Sequence, residues 1–270
     1  MRLVPRIAPV VLLGLLAAAP AASTAPRSAA VDENPCLTPR TAELRCPDLR
    51  MKRPFDLSVD RYTRSGHALL RAGNSIDSLG LGPAELHGVR LRGPWMRGRQ
   101  RIYKRAGGRI GLRTGARLRY VRGHLGKRYW KFHHAAGFEL WRLDHRGRRK
   151  RLSRRGAKVD YCLRDLRRSH PRMRRSPGRR VYPACSTSPL RERVTLGTSV
   201  GWSDIYPSTY HENWIDVTGL RGTFAFKHIA DPENGIWETD ETNNEGITIV
   251  QLPSGRAVKR RSAGGDDPYG

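Results

Sequence analysis

From Cys46 onward, apolar and β-branched residues recur at every second position more often than at helical spacing. No long amphipathic helix can be written for the chain. The stretches FDLSVDRY (55–62), ARLRYV (116–121), RVTLGTSVGW (193–202), NWIDVTGL (213–220), GTFAFKHIA (222–230) and GITIVQL (246–252) are short and end at Gly, Pro, Asp or Asn. They read as strands separated by turns. AKVDYCLRDLRRSHP (157–171) could add a turn or two of helix before Pro171. The pattern predicts an all-β chain: a β-sandwich with long loops and few short helices. HRGRRKRLSRRG (145–156) and RRSPGRR (174–180) read as exposed basic loops. No internal repeat is present.

The N-terminus begins MRLVPRIAPVVLLGLLAAAPAASTAPRSAA. Arg2 and Arg6 precede a short apolar run, 7–16, and small residues follow. This is the three-part layout of a secretory signal peptide, assigned to residues 1–25. The apolar run is shorter than the roughly 20 residues needed to cross a bilayer. No later segment is long enough either, so the mature protein is expected to be secreted without a transmembrane segment. Residues 26–45 read as a lead-in, 46–253 as one domain and 254–270 as a disordered basic tail.

Four cysteines fit an oxidising compartment. The sequence leaves their pairing open, and locality favours Cys36 with Cys46 and Cys162 with Cys185. No CxxC occurs, which removes support for a thioredoxin-like or zinc-ribbon reading. The chain of 270 residues carries 51 Lys and Arg against 24 Asp and Glu, a net charge of +27. Such a field attracts polyanions. Export argues against a specific nucleic-acid partner and points to anionic cell-surface polymers.

Three stretches of the second half stand in a fixed order. The first has Lys158 four residues before Cys162-Leu163. The second has Gly201, Asp204 and Tyr206, leading to Trp214-Ile215-Asp216. The third runs from Asp231-Pro232 to Glu238, Asp240, Asn243 and Asn244. The ordered set resembles the catalytic domain of the lysyl oxidase family, over roughly 46–252. The resemblance implies a secreted β-sandwich enzyme that oxidatively deaminates primary amines, such as lysine side chains, to aldehydes with release of hydrogen peroxide. It also implies a self-made cofactor, lysine tyrosylquinone, formed with copper and O2 from Lys158 and Tyr206. The residue types suit that chemistry, because a phenol can be oxidised to a quinone and a neutral amine can add to it. Asp204 is the candidate base or orienting group. Substrates would be amine-bearing proteins or small amines.

Copper, in the family, is held by histidines at alternate strand positions ahead of a Tyr/Phe-x-Leu segment. Here YWKFHHAAGFEL (129–140) closes on Phe138-Glu139-Leu140 and aligns His133 with the last ligand. The preceding alternate positions are Lys131 and Tyr129. In a regular strand His134 faces the opposite way. Two readings stay open: a copper site rebuilt from His124, His133 and His134, or a site that has lost copper. The second would leave a non-catalytic secreted binding protein. Calcium is implied by Asp48-Leu49 with Glu238, Asp240, Asn243 and Asn244, which supply the hard oxygen ligands it takes.

Overall fold

The computed structural model describes residues 32–122 and 126–258. The expected signal peptide, residues 26–31, His124 and the tail beyond 258 lie outside the described residues. Seventeen strands occur among those described. The first nine are β1 (Leu44–Arg45), β2 (Leu49–Met51), β3 (Phe55–Asp60), β4 (Leu69–Ser78), β5 (Ala84–Arg90), β6 (Trp95–Lys104), β7 (Arg109–Leu112), β8 (Arg117–Arg122) and β9 (Arg128–Leu143). The rest are β10 (Arg149–Arg155), β11 (Val159–Tyr161), β12 (Arg193–Thr198), β13 (Ser203–Tyr206), β14 (Trp214–Asp216), β15 (Gly222–Ala230), β16 (Glu245–Leu252) and β17 (Arg256–Ala257). The described residues include 3-10 segments at Pro35–Leu37 and Pro39–Glu43 and no α-helix. The all-β sandwich expected from the alternation is the fold observed.

The larger sheet runs β12-β5-β6-β8-β9-β15-β16-β17, with β1 and β7 added on β6 and β10 and β11 added on β9. The smaller sheet centres on β4. Its first half pairs with β3 and β14, and its second half with β2 and β13. Alternation builds these strands residue by residue. In β6, Met96, Gly98, Gln100 and Ile102 are buried, while Arg97 and Arg99 are exposed. The continuous core takes Leu70 and Ile76 from β4, Leu86 from β5, Leu118 from β8, Trp130, Phe132, Phe138 and Leu140 from β9, and Phe224 and Phe226 from β15. Each large apolar side chain buried here contributes about 1.5–3 kcal/mol.

The segment 157–171 departs from its expectation. It forms β11, antiparallel to β9, and then an irregular path tied down by the Cys162–Cys185 disulfide. Pairing on β9 satisfies its backbone in place of a helix. The other disulfide is Cys36–Cys46. Structure also lies outside the expected 46–253 span. The 3-10 segments and β1 precede it, and β17 pairs with β16 beyond it.

Gly246 marks where β16 passes closest to the chain leaving β2. A Cβ there would collide with the Lys52 carbonyl. Gly246→Ala is therefore expected to lower stability by about 1–3 kcal/mol through overpacking against backbone. A urea titration with unchanged m-value would show it as a lower midpoint, and an unchanged midpoint would refute the close approach.

Candidate metal centre and tyrosine cluster

The histidines of β9 sit on an irregularity. His134 has a φ of 59°, a left-handed conformation that histidine tolerates better than most residues. Across from it, Tyr161 pairs with Phe132 and Val159 with Ala136, so β9 carries extra residues against β11. A bulge of this kind turns successive side chains toward one side. The two imidazole rings lie 3.6 Å apart between centroids, which corrects the expectation that His134 faces away from His133.

Asp160 holds the bulge. Its Oδ1 lies 2.9 Å from His133 Nδ1 and accepts the His134 backbone N–H at 2.9 Å. A nitrogen from each ring and an oxygen of Asp160 lie within 4.8 Å of one another. Burial holds the His133 pKa below its ordinary value, against the raising influence of Asp160. The neutral, ligating form is thereby favoured. His134 Nδ1 lies 2.8 Å from Glu233 Oε1, which also accepts from Lys158 Nζ at 2.6 Å. A cleft of about 360 Å³ opens beside the pair, lined by Thr114, Phe132, Asp231 and Glu233 among others. Two imidazoles and a carboxylate can hold a divalent transition metal.

Lys131 is fully buried at 1% exposure. Its Nζ donates to Tyr210 Oη at 2.9 Å and lies 3.5 Å from the Glu212 carboxylate. Burial pushes both members of this ion pair toward their neutral forms. The position two residues before His133 is thus filled by an amine anchored to the loop after β13.

Tyr206 lies in a cluster of tyrosines. Its ring stacks on Tyr161 at 3.8 Å and meets Tyr210 edge-on at 4.8 Å. Its hydroxyl donates to the Cys162 carbonyl at 3.2 Å. Burial pushes the Tyr206 hydroxyl pKa well up. Asp204, two residues earlier in β13, is fully buried, and neither of its carboxyl oxygens has a hydrogen-bond partner. Burial raises its pKa well above the carboxylate range, opposed by Arg164. Lys158 is not in this cluster. It stands at the surface on Glu233, while Tyr206 is enclosed by Tyr161 and Tyr210.

A second, oxygen-rich cluster joins the start and end of the fold. Glu238 accepts the Leu49 backbone N–H and, at 2.8 Å, the Asn244 amide. Asn243 donates to Asp48 at 2.9 Å, and Asp240 accepts from Thr242. The side-chain oxygens of Asn243 and Asn244 and one oxygen of Glu241 are buried without a hydrogen-bond donor. Burial raises the pKa values of Asp48, Glu238 and Glu241. Buried oxygens without donors, beside carboxylates out of water, fit a hard cation.

Sequence reasoning missed Asp160, Glu233, Glu212 and Glu241. All four sit inside the three ordered stretches, and that was their one signal.

Among curated proteins, none matches this chain. Residues 120–258, slightly over half the chain, match the sequence model of the family described as Lysyl oxidase. The match begins in β8 and takes in β9 with its histidines, the tyrosine cluster and the Glu238–Asn244 run. By this match, together with the ordered motifs and the all-β fold on which they lie, the chain belongs to the lysyl oxidase family.

Proposed function

We propose that this protein is a secreted amine oxidase whose metal centre is rebuilt around His133, His134 and Asp160, converting primary amines to aldehydes with release of hydrogen peroxide. The bulge at His134 carries this reading, because it turns a second imidazole toward the first. Copper with O2 would supply the oxidation of tyrosine that makes lysine tyrosylquinone, and the quinone would supply the oxidation of the amine. The chain's own residues prepare the site. Asp160 orients His133 through Nδ1, and burial favours the neutral ring. Glu233 holds Lys158 beside His134. Burial keeps the Tyr206 hydroxyl protonated. Burial shifts Asp204 toward its protonated form, and Asp204 shares the face of β13 with Tyr206, as suits a group that exchanges a proton at the ring.

A second reading is favoured by Lys131. Its buried amine occupies an alternate position where the family resemblance calls for imidazole. In its charged form that amine cannot donate a lone pair and opposes a nearby cation, and Tyr210 and Glu212 already engage it. On this reading the protein binds anionic envelope polymers without turnover.

The oxygen cluster is assigned to calcium, with Asp48, Leu49, Glu238, Asp240, Asn243 and Asn244 as ligands. A cation there ties the chain after Cys46 to the run before β16. Calcium at a hundredfold excess over its Kd should stabilise the fold by about 2.7 kcal/mol. Thermal melts with millimolar calcium and with chelator should differ in the wild type and coincide in Asp240→Ala. A wild-type Tm indifferent to calcium would remove the site.

The metal centre is tested on secreted protein purified with copper. We expect close to one copper per chain, amine-dependent peroxide, and a Lys158–Tyr206 cross-link on peptide mapping, which requires Lys158 to leave Glu233 and Tyr206 to open from its stack. His134→Ala should lower copper occupancy at least tenfold while leaving the Tm response to calcium intact. Copper-free protein without peroxide would select the binding-protein reading.

A further inference from the structure

A cavity of about 270 Å³ lies apart from the sites described above. Arg45 of β1, the turn between β4 and β5, Tyr103 of β6 and the loop before β12 close around it. None of its lining residues belongs to the His133–His134 cleft, the tyrosine cluster or the oxygen cluster. Leu81, Pro83, Pro177 and Val181 make its walls apolar, and Leu81 and Val181 are large apolar side chains left exposed. Tyr103 and Tyr182 add two rings. Both hydroxyls donate to one acceptor, Glu85 Oε2, at 2.8 and 2.6 Å. The backbone N–H groups of Gly82, Val181, Tyr182 and Ser199 are engaged as well, the first by the Cys46 carbonyl and the others by Asp165. Two guanidinium groups stand in contrast. Arg45 Nη2 donates to the Arg105 carbonyl at 3.2 Å, but Arg45 Nε is buried without a hydrogen-bond partner. Arg175, in the basic run 174–180, is exposed and held at a φ of 75°. That conformation is unfavourable for arginine, and outliers of this kind gather at ligand sites. Arg45 first, then loss of solvent, Arg174 and Arg105 lower the Arg175 pKa, so the cations crowd one another. Among the described residues no carboxylate forms an ion pair with Arg45, Arg105 or Arg175.

We propose that this cavity binds a small aromatic carboxylate, with its ring among Tyr103, Tyr182 and the two prolines and its carboxylate on Arg45 and Arg175. An apolar pocket with a few convergent polar groups is the usual form of a small-molecule site. Each part of the ligand follows from the lining. The anionic group follows from two guanidiniums that no protein carboxylate neutralises. A carboxylate matches the planar two-point fork of a guanidinium. A phosphate or sulfate group is held by clustered backbone N–H groups, and four of those along this lining already have acceptors. The aromatic body follows from the tyrosine rings, which favour edge-on or offset contact with another ring. The volume sits at the small end for ligand sites, roughly 300–1,000 Å³, and suits one or two fused rings better than a long alkyl chain. The site is independent of whether the metal centre turns over.

The test is calorimetric titration of the full secreted protein with 2-naphthoate, 2-naphthamide and octanoate. The naphthoate is expected to saturate one site per chain with a Kd below about 1 mM. The amide, which keeps the ring and lacks the charge, should bind about tenfold more weakly. Octanoate, which keeps the charge and lacks the ring, should do the same. Arg175→Gly removes one guanidinium and relieves the left-handed backbone, so it should hold the wild-type Tm while weakening naphthoate about tenfold. Arg45→Gln should weaken naphthoate similarly, and neither variant should change binding of the amide by more than about twofold. Arg151→Ser, in the exposed basic hairpin, is the control for net charge and should leave naphthoate binding unchanged. No saturable naphthoate binding at millimolar concentration would overturn the proposal. So would equal affinity for the amide or for octanoate, or a loss in Arg151→Ser equal to that in Arg175→Gly.

Discussion

The Asp160 carboxylate meets two successive residues of β9, the His133 ring and the His134 backbone N–H. Hydrogen bonds to a charged acceptor contribute about 1.5–3 kcal/mol each, enough to offset a residue held at positive φ. β9 is the strand on which β8, β10, β11 and β15 are assembled, so a bulge at its middle affects most of the larger sheet. On one side of the bulge β9 continues to Phe138 and Leu140 against β15. On the other it presents Lys131 to the loop that carries Tyr210 and Glu212. Without Asp160 the extra residues of β9 would lose their fastening, and the two imidazoles would have no reason to stay on one side.

Polar groups behind this point are buried at a cost. A buried polar group left unpaired costs about 1–3 kcal/mol. Asp204 has both oxygens unpaired, and Asn74 has its side-chain oxygen unpaired on the opposing strand β4. A tyrosine stack and a buried lysine lie next to them. Apolar residues of the same volume would give a more stable sandwich. Local violations of packing rules gather at functional sites. Here they gather around β13 and the loop after it, and all but Asn74 lie within the residues that match the lysyl oxidase family.

The alternation of β8 and β12 was plain in the sequence, because the first four residues of each strand bury one face and wet the other. Locality was enough to pair the cysteines. The bulge was not legible. Nothing in the spacing of His133 and His134 says that the second residue takes a left-handed conformation, and a one-residue irregularity reverses which way a side chain points. Burial of Lys131 was equally hidden, since lysine is read as surface until a partner such as Tyr210, 79 positions away, closes over it. The stretch before Pro171 misled through its composition. Pairing of Val159–Tyr161 with β9 and the Cys162–Cys185 bridge overrode its weak helical character.

The scarcity of acid gives the two clusters their meaning. The chain has 24 Asp and Glu against 51 Lys and Arg. Seven of those 24 stand at the two clusters: Asp160, Glu212 and Glu233 at one, and Asp48, Glu238, Asp240 and Glu241 at the other. With so many arginines available, a structural role alone would let each buried carboxylate find a guanidinium, as Glu85 does in Arg101. Instead Glu238 is met by a backbone N–H and an amide, Glu241 by an amide and a backbone N–H, and Asp160 by imidazole and a backbone N–H. Neutral donors leave the charge of a carboxylate largely uncompensated when water is removed. Asp160, Glu238 and Glu241 therefore stay largely uncompensated, whereas Glu212 and Glu233 are paired with Lys131 and Lys158, so negative charge is concentrated locally inside a strongly positive molecule, whose outer field is screened beyond about 8–10 Å in physiological salt. That local inversion of sign is the condition under which a cation, or an amine in its charged form, is drawn to these places and away from the arginine-rich surface.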